Sequence, residues 1–259
     1  MILAGKKFEL ILTVVCIALA YLYMKSAERR APRYRIRKFP ALEAIDEAVG
    51  RAAEMNRPVH YSTGIGGTDD QYAPMTLSGL AILGRVAEAC GRAGVYLRYT
   101  TPRAYLVPVA QDILKAGYTK SGNPDMYSPD MVYYVGEYQT AFMTSVMGYI
   151  LRERPAVNMI FGATLWETIN QLGAGAIAGC IQLGGTPRLY YIPIMICVCD
   201  YLLIGEELYV AGAALEGTPG SIGYFRGQDL FKILLIVLFI LAAAASTAGF
   251  NLIGYLSTW

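Results

Sequence analysis

The sequence predicts an α/β fold of the Rossmann-like type, an open and mainly parallel sheet of about six strands with helices on both faces, together with two transmembrane helices. Between positions 40 and 217, short runs rich in β-branched and aromatic residues alternate with helical stretches, which is typical of parallel strands joined by right-handed crossovers. A long apolar run lies near each end of the chain. Hydrophobic residues make up 55% of the 259 residues and charged residues only 16%, so extensive burial or membrane association is expected.

The N-terminal apolar run, residues 8–24, has about the minimum length that spans a bilayer. Lys6 and Lys7 precede it, as basic residues precede the apolar part of a signal peptide. No small-residue cleavage motif follows, however, and basic residues do. We therefore expect a retained transmembrane helix at 1–24 and a basic juxtamembrane segment at 25–39.

The C-terminal apolar run, residues 233–257, is long enough to cross a bilayer with some tilt. A connector at 218–232 would join it to the α/β domain at 40–217. Seven basic residues and one acidic residue lie between positions 25 and 38, so the positive-inside rule places the α/β domain in the cytoplasm and both termini outside. We expect the basic segment to face anionic lipid headgroups rather than nucleic acid.

Local signals predict the first elements of the domain. Residues 41–56 have good helix propensity and apolar spacing, and a strand at 58–62 follows. The next helix, 75–90, is followed by glycines that mark its end. After a second strand at 95–100, Pro102 is expected to be the first residue of a helix, a position that suits proline.

The second half continues the alternation. A strand at 131–136 precedes a helix at 139–154, which a proline ends. A buried strand at 156–162, a helix at 164–178 and a weaker strand at 180–185 follow. These segments complete five of the expected strands.

Residues 196–215 are apolar enough to resemble part of a membrane span, but they carry three carboxylates. A carboxylate at the bilayer centre costs several kcal/mol. At a helix N-terminus, an acidic residue is instead favoured by roughly 0.3–1 kcal/mol. We therefore expect a helix at 193–199, a sixth strand at 201–205, and Glu206 and Glu207 at the start of a helix.

Ligands of open α/β sheets bind beyond the carboxyl ends of the strands. The loops at these positions carry small residues, hydroxyls and charged groups, a combination suited to a small polar or anionic ligand held by backbone N–H groups. The alternative is that the same residues only form tight turns and helix caps. The candidate ligand-binding residues are Thr63, Gly64, Gly66, Gly67, Asp69, Asp70, Thr101, Arg103, Glu206 and Glu207.

The glycine-rich loop departs from the dinucleotide-binding fingerprint. Gly64 and Gly66 follow a predicted strand, but Asp69 stands where the third glycine is required. Asp69 and Asp70 would repel a pyrophosphate unless a cation intervened. A paired-carboxylate site for a cation or a polar ligand is the alternative. No cofactor is assigned.

No residue pattern indicates a catalytic site. The one histidine, His60, lies inside a predicted strand, where we expect it to be packed and hydrogen-bonded. No nucleophile elbow, HExxH motif or Cys-His arrangement is present, and the spacing of Cys197 and Cys199 is not that of a zinc site. The sequence assigns no catalytic residue and no metal ligand; it leaves enzymatic activity open and favours a non-enzymatic role.

The second half of the domain is poor in charge. In residues 156–199 the only charged side chains are Glu167 and Arg188. A solvated half-domain normally carries many more. A deeply buried sheet would also explain the scarcity, but the helices of a monomer need one wet face. We therefore expect this half to pack against another subunit, another protein or the membrane surface.

Several motifs are similar to those of a known family. The segment CDYLLIGEELYVAGAAL at 199–215 and GYFRGQDLFKILL at 223–235 resemble a family of uncharacterised prokaryotic membrane proteins. Its members pair a cytoplasmic α/β domain with flanking hydrophobic helices, and no activity is established for them. The resemblance implies a prokaryotic plasma membrane location. We expect the RGQD motif at 226–229 to fix the start of the second span or a subunit contact.

Two functions from different classes follow from these observations. The favoured one is a membrane-anchored cytoplasmic module that self-assembles as a structural or scaffolding component, with the lipid bilayer, further copies of the chain and a membrane protein as partners. The alternative is a Rossmann-like domain that binds, or acts on, a small polar or anionic ligand. A transporter is disfavoured because two spans form no path without oligomerisation.

Overall fold

The structure, a computed structural model, describes residues 6–29 and 38–247. The described residues form two compact units, residues 38–216 in one and residues 6–29 with 217–247 in the other. Most of the predicted basic segment and the end of the predicted second span, from residue 248, lie outside the described residues.

Within the described part of the chain, the α/β unit contains a six-stranded sheet in the order β3-β2-β1-β4-β5-β6, with every neighbouring pair parallel. The predicted α/β fold with a parallel sheet is therefore confirmed. The order reverses between β1 and β4, which makes this the switch point of the sheet. The strands are β1 Val59–Gly64, β2 Leu97–Thr101, β3 Val132–Tyr134, β4 Val157–Ala163, β5 Ile181–Thr186 and β6 Tyr201–Ile204.

The helices form two layers. The first comprises α2 Pro40–Glu54, α3 Ala73–Ala93, α4 Leu106–Lys120 and α8 Glu207–Glu216. The second comprises α5 Gln139–Glu153, α6 Trp166–Ala178 and α7 Ile192–Val198. Short 3-10 turns at Pro124–Met126 and Pro129–Met131 precede β3. The apolar stretch 196–215 contains the end of α7, all of β6 and most of α8, as expected from its carboxylates.

The predicted start of the helix after β2 is wrong. This helix, α4, begins at Leu106 and not at Pro102. The backbone N–H of Arg103 donates a hydrogen bond to Thr101 Oγ1, 3.2 Å away. The Arg103 side chain reaches back to the carbonyl of Ile65. These contacts hold a turn after β2, so the helix starts only when the turn is complete.

The α3 side of the sheet has an apolar core. Tyr61 lies between Tyr99 and Phe161, with ring centroids 6.2 and 6.0 Å away, and all three side chains are fully buried. The Tyr61 hydroxyl donates to the carbonyl of Gly79 on α3 at 2.6 Å. A Cβ on Gly79 would lie 2.2 Å from the Phe161 carbonyl oxygen, so glycine is what lets α3 approach β4 closely.

The α6 side of the sheet combines apolar clusters around Phe142 and Ile160 with a set of buried polar side chains. A chain of hydrogen bonds joins Thr100 to His60 (2.9 Å), His60 to Asn158 (2.7 Å) and Asn158 to Gln182 (3.1 Å), and Gln182 donates to the carbonyl of Leu172 on α6 at 3.1 Å. We call these four side chains the polar chain. All are buried. The expectation that His60 is packed and hydrogen-bonded is confirmed.

The donor and the acceptor of each hydrogen bond in the polar chain follow from the Leu172 carbonyl at its end. The Leu172 carbonyl can only accept, so Gln182 offers its oxygen to the Asn158 amide, and Asn158 Oδ1 accepts from His60 Nδ1–H. His60 is therefore the Nδ1–H tautomer, and Nε2 accepts from the Thr100 hydroxyl. Burial disfavours the charged imidazolium and lowers the pKa of His60 to about 4, so the ring is neutral at physiological pH.

The other unit contains α1 Lys7–Arg29 and α9 Pro219–Thr247, which are long and apolar enough to be candidate membrane spans in the part of the chain described here. The two helices pack antiparallel: a Cβ on Gly223 would lie 2.5 Å from Ala27 Cβ, and one on Gly227 would lie 2.8 Å from Ala20 Cα. Residues 219–232, expected as a connector, thus belong to a continuous helix. Glycines that would weaken an isolated helix are accommodated because α1 packs directly onto them.

Candidate functional site

The loops that follow β1 and β2 meet at the carboxyl edge of the sheet, beside the switch point. Arg103 Nη2 donates to Asp70 Oδ2 at 3.2 Å, and Arg103 Nε donates to the carbonyl of Ile65 at 3.3 Å. The structure therefore brings together two of the candidate ligand-binding residues, from different loops. Both side chains are about a quarter exposed.

Asp70 also satisfies the backbone donors that precede α3. Its Oδ2 accepts from the N–H of Gly67 at 3.1 Å, and its Oδ1 accepts from the N–H of Tyr72 at 2.8 Å. In dinucleotide-binding folds, N–H groups at this helix N-terminus bind the phosphate. Here the protein's own carboxylate occupies that position and is paired with Arg103, so a phosphate would have to displace Asp70.

Asp69 is held by a residue that the sequence did not single out. The Tyr105 hydroxyl donates to Asp69 Oδ1 and accepts from the N–H of Thr68 at 3.0 Å. The hydrogen bond from Tyr105 stabilises the carboxylate and lowers the pKa of Asp69. A Cβ on Gly67 would lie 2.0 Å from the Tyr105 oxygen, so the space that this glycine leaves is filled by Tyr105.

The other glycines of the loop serve packing within the protein. Gly64 has a φ of +77°, and a Cβ there would lie 2.1 Å from the carbonyl oxygen of Ala163. A Cβ on Gly66 would lie 2.5 Å from Ala163 Cβ and 2.7 Å from Tyr72 Cβ. These positions require glycine because the β1 loop lies directly against β4 and α3.

The two candidate threonines are buried. Thr63 Oγ1 and the Tyr99 hydroxyl are 2.8 Å apart, and Thr101 Oγ1 accepts from the backbone N–H of Arg103. Both hydroxyls are engaged in contacts that hold the ends of β1 and β2.

Glu206 and Glu207 lie elsewhere on the sheet. They follow β6, which is separated from β1 by β4 and β5. Glu207 Oε2 accepts from the N–H of Ile204 at 3.0 Å, and the Glu206 carbonyl accepts from the N–H groups of Tyr209 and Val210 in the first turn of α8. The structure does not bring these glutamates to Asp69 and Asp70; both take part in the turn from β6 into α8.

Two further charged residues, Glu167 and Arg188, lie near the carboxyl edge of the sheet. In the sequence they stood out only as the two charged residues of segment 156–199. Glu167 is fully buried; Oε1 accepts from the N–H of Leu165 at 3.0 Å and Oε2 from Gln139 Nε2 at 2.5 Å. Burial raises the pKa of Glu167. The Arg188 guanidinium lies 5.1 Å from the ring centroid of Tyr72 and 5.6 Å from that of Tyr191, within cation–π range.

Open clefts lie at the opposite, amino-terminal edge of the sheet. One, of about 330 Å³, is lined by Arg51, Asp200 and Tyr201. Another of about 330 Å³ is lined by Arg57 and Tyr96. In the described residues, no group of three or more His, Cys, Asp or Glu side chains is placed to hold a metal ion.

The outer surface of α6 and α7 is apolar and exposed. Ile177 is 75% exposed and Tyr190 is 85% exposed. Because Glu167 is buried and Arg188 is stacked on two rings, residues 156–199 present almost no charge to their surroundings. We define the α6–α7 surface as Trp166, Ile169, Ile177, Leu189, Tyr190 and Ile196, all of them exposed.

Comparison with known proteins places the chain in a family without giving it an activity. The family model for a domain of unknown function, DUF6754, matches residues 1–256. The chain belongs to this family. None of the curated proteins and none of the solved structures with which the chain was compared matches it. The family agrees with the resemblance seen in the motifs, in that its function is uncharacterised, so a functional proposal has to rest on the geometry of this chain.

Proposed function

We propose that the protein is a membrane-anchored scaffold whose α/β domain lies in the cytoplasm of a prokaryotic cell and self-associates through the α6–α7 surface. The two apolar helices would hold the domain at the bilayer from both ends. The basic residues between positions 25 and 38 support a cytoplasmic domain with both termini outside.

The observation that carries the proposal is the α6–α7 surface itself. Six large apolar side chains are exposed on α6, on α7 and in the turn before α7; of the two charged residues of segment 156–199, Glu167 is buried and Arg188 is stacked on two rings. Contiguous exposed apolar surface is rare on monomeric proteins and marks interaction sites. Removing such surface from water contributes about 25 cal/mol per Å² of apolar area.

A second copy of the chain is the occupant that we propose. A surface without charge can face its own image without electrostatic repulsion, so a two-fold symmetric contact meets no like-charge cost. Anchoring in the same bilayer also concentrates the copies, and this raises the fraction associated without any additional contact.

The geometry gives less support to the ligand-binding alternative. At the carboxyl edge, Asp70 already accepts the backbone donors that an anionic ligand would use, and it is paired with Arg103. Tyr105 fills the space beside Gly67. The candidate residues around β1 therefore hydrogen-bond to one another, as residues of a helix cap and a closed turn do.

The test is the oligomeric state of the full chain in a mild detergent or in nanodiscs, measured by mass photometry. We expect the wild-type chain to be a dimer or a larger oligomer. Replacing Ile177 and Ile196 with Lys places four like charges in a symmetric interface, and we expect the concentration needed for half-association to rise more than about tenfold.

The matched control carries the same substitutions on the other helical layer. Leu77 on α3 and Val109 on α4 are 52% and 43% exposed, so Leu77→Lys with Val109→Lys adds the same charge without touching the α6–α7 surface. This control should associate like the wild type. A wild-type chain that is monomeric at every concentration, or a control that dissociates as readily as the α6–α7 variant, would contradict the proposal.

A further inference from the structure

We propose that a small zwitterion, such as a free amino acid, binds at the switch point of the sheet, between the first two turns of α6 and the backbone at the ends of β1 and β4. This site lies on the inner face of α6, on the opposite side of the helix from the α6–α7 surface. It is independent of the self-association proposed above, and the residues around Asp70 take no part in it.

Two side chains on the inner face of α6 have polar atoms without partners. Thr168 is 1% exposed and Gln171 is 0% exposed. Within the described part of the chain, the Thr168 hydroxyl and both polar atoms of the Gln171 amide make no hydrogen bond. Burying such groups costs free energy, and buried polar groups in proteins are nearly always paired with protein, water or a bound group. These three atoms therefore point to a polar ligand.

The packing of α6 shows which way the two side chains point. A Cβ on Gly175 would lie 2.5 Å from Gln182 Oε1 and 3.0 Å from Asn158 Nδ2, so this position of α6 faces β4 and β5 directly. At 100° per residue, Thr168 lies within about 20° of Gly175 around the helix, and Gln171 lies within about 40°. Both side chains therefore face the sheet as well.

The same packing shows where they lie along the sheet. Thr168 is two turns before Gly175, so it lies about 10 Å nearer to the carboxyl edge. This distance corresponds to about three residues along β4, counted from Asn158. Strand residues alternate between faces, and the residue near this point that shares the face of Asn158 is Gly162. Thr168 therefore lies above the end of β4.

The end of β4 and the adjoining end of β1 both carry glycine. A Cβ on Gly162 would lie 2.4 Å from the Thr63 carbonyl oxygen, and one on Gly64 would lie 2.1 Å from the Ala163 carbonyl oxygen. Neither position can hold a side chain, because the two strand ends approach each other too closely. The polar side chains of α6 thus face backbone at the switch point, which is where sheets of this type bind ligands.

Two opposite charges lie near these groups without pairing with each other. Glu167, next to Thr168 in the chain, is fully buried and accepts from the N–H of Leu165 and from Gln139 Nε2. Burial raises the pKa of Glu167, and the positive charge of Arg188 is close enough to oppose this shift. Among the residues that the structure describes, neither Glu167 nor Arg188 forms an ion pair.

A small zwitterion matches this set of groups. Its ammonium group pairs with Glu167 and its carboxylate with Arg188, so neither charge of the ligand is buried alone. A net anion would be repelled by Glu167, and a net cation by Arg188. Thr168 and Gln171 supply both donors and acceptors for the other polar groups of the ligand. Because Glu167 and Gln171 are closed off from water, the start of α6 has to open for the ligand to enter.

The test is thermal unfolding of the full chain in detergent, with each of the common amino acids added in turn. We expect at least one of them to raise the Tm of the wild-type chain by about 5 °C at about 100 times its dissociation constant. Arg188→Gln removes the charge that binds the carboxylate and should abolish this shift. The proposal is wrong if no amino acid changes the Tm of the wild type, or if Arg188→Gln keeps the full shift.

Two substitutions of similar size test the unpartnered groups. Thr168→Val and Gln171→Met should each raise the Tm without amino acid by about 2 °C or more, and should abolish the shift. The matched control is Thr164→Val, because the buried Thr164 hydroxyl has a partner in Thr186 Oγ1, 2.7 Å away. The control should lower the Tm and keep the shift. If the two α6 variants lowered the Tm as the control does, their polar groups would already have partners, and this result would overturn the proposal.

Discussion

The two sides of the sheet differ in the polar groups that they bury and in the charge that they expose. On the α3 side, the interior is apolar around Tyr61, and the exterior carries ion pairs: Arg92 with Asp46 and Glu88, and Lys120 with Glu88, all within 2.9 Å. On the α6 side, apolar clusters around Phe142 and Ile160 lie beside the polar chain and the buried Glu167, and the exterior includes the apolar α6–α7 surface.

The difference in exposed charge bears on which side meets a partner. A helical layer whose outer face carries several ion pairs is suited to water. A layer that exposes several large apolar side chains and carries little charge beside them is less suited to water. The contrast supports a partner on the α6 side, and each of the following predictions tests one part of it.

The largest expected effect comes from breaking the polar chain. Asn158→Ala removes the acceptor of His60 Nδ1–H and the donor to Gln182, leaving two buried polar groups without partners. Each such group costs about 1–3 kcal/mol, so we expect a loss of about 2–6 kcal/mol in the free energy of unfolding. Denaturant unfolding followed by circular dichroism measures it.

The control for this prediction is Asn170→Ala on α6. Asn170 is only partly buried, and its amide donates to the Trp166 carbonyl at 3.4 Å. Its replacement should cost less than about 1 kcal/mol. If the two asparagine variants lost the same stability, the polar interior would not be important for holding α6 on the sheet.

The next effect is on the pH dependence of stability. The pKa of His60 is about 4 in the folded chain against 6.5 for an ordinary histidine, so between these pH values the unfolded chain binds the proton and the folded chain does not. Stability should therefore fall as the pH is lowered from about 6.5 to 4, by about 3 kcal/mol from this group. His60→Gln should lose that part of the dependence. Unfolding curves for both proteins at several pH values measure the difference, and parallel pH profiles would contradict the assignment.

The smallest effect is expected on the charged exterior. Arg92 pairs with Asp46 and Glu88 but is 45% exposed, and exposed ion pairs contribute little. We expect Arg92→Ala to cost less than about 1 kcal/mol in thermal unfolding and to leave the oligomeric state unchanged. A change in mass by light scattering would mean that the α3 side, too, contacts a partner.

Much of the fold could be predicted from local signals. The buried runs of β4 and β5, the proline after α5 and the carboxylates at the start of α8 are local features, and the six strands follow from them. The start of α4 was misplaced because the contact of Arg103 with Ile65 and Asp70 joins two loops that are far apart in sequence. The connector at 218–232 was expected because the apolar run begins only at residue 233, whereas α9 begins at Pro219.

The candidate site could be predicted less well. The sequence identified Asp69, Asp70 and Arg103 as polar residues at strand ends, and the structure brings Asp70 and Arg103 together. It offered no local signal for Tyr105, whose hydroxyl closes the loop from a different strand end. Such long-range contacts decide whether the polar side chains at the strand ends bind a ligand or hydrogen-bond to one another. The charge-poor segment was visible in the sequence, but the burial of Glu167 was not.

The most direct test of the account is the distance between copies in a membrane. A spin label introduced as an unnatural amino acid at position 177, on α6, or at position 77, on α3, reports that distance by pulsed electron paramagnetic resonance in nanodiscs. Association through the α6–α7 surface predicts a short and narrow distance between labels at 177 and a longer one between labels at 77. No coupling at 177, or a shorter distance at 77, would contradict it.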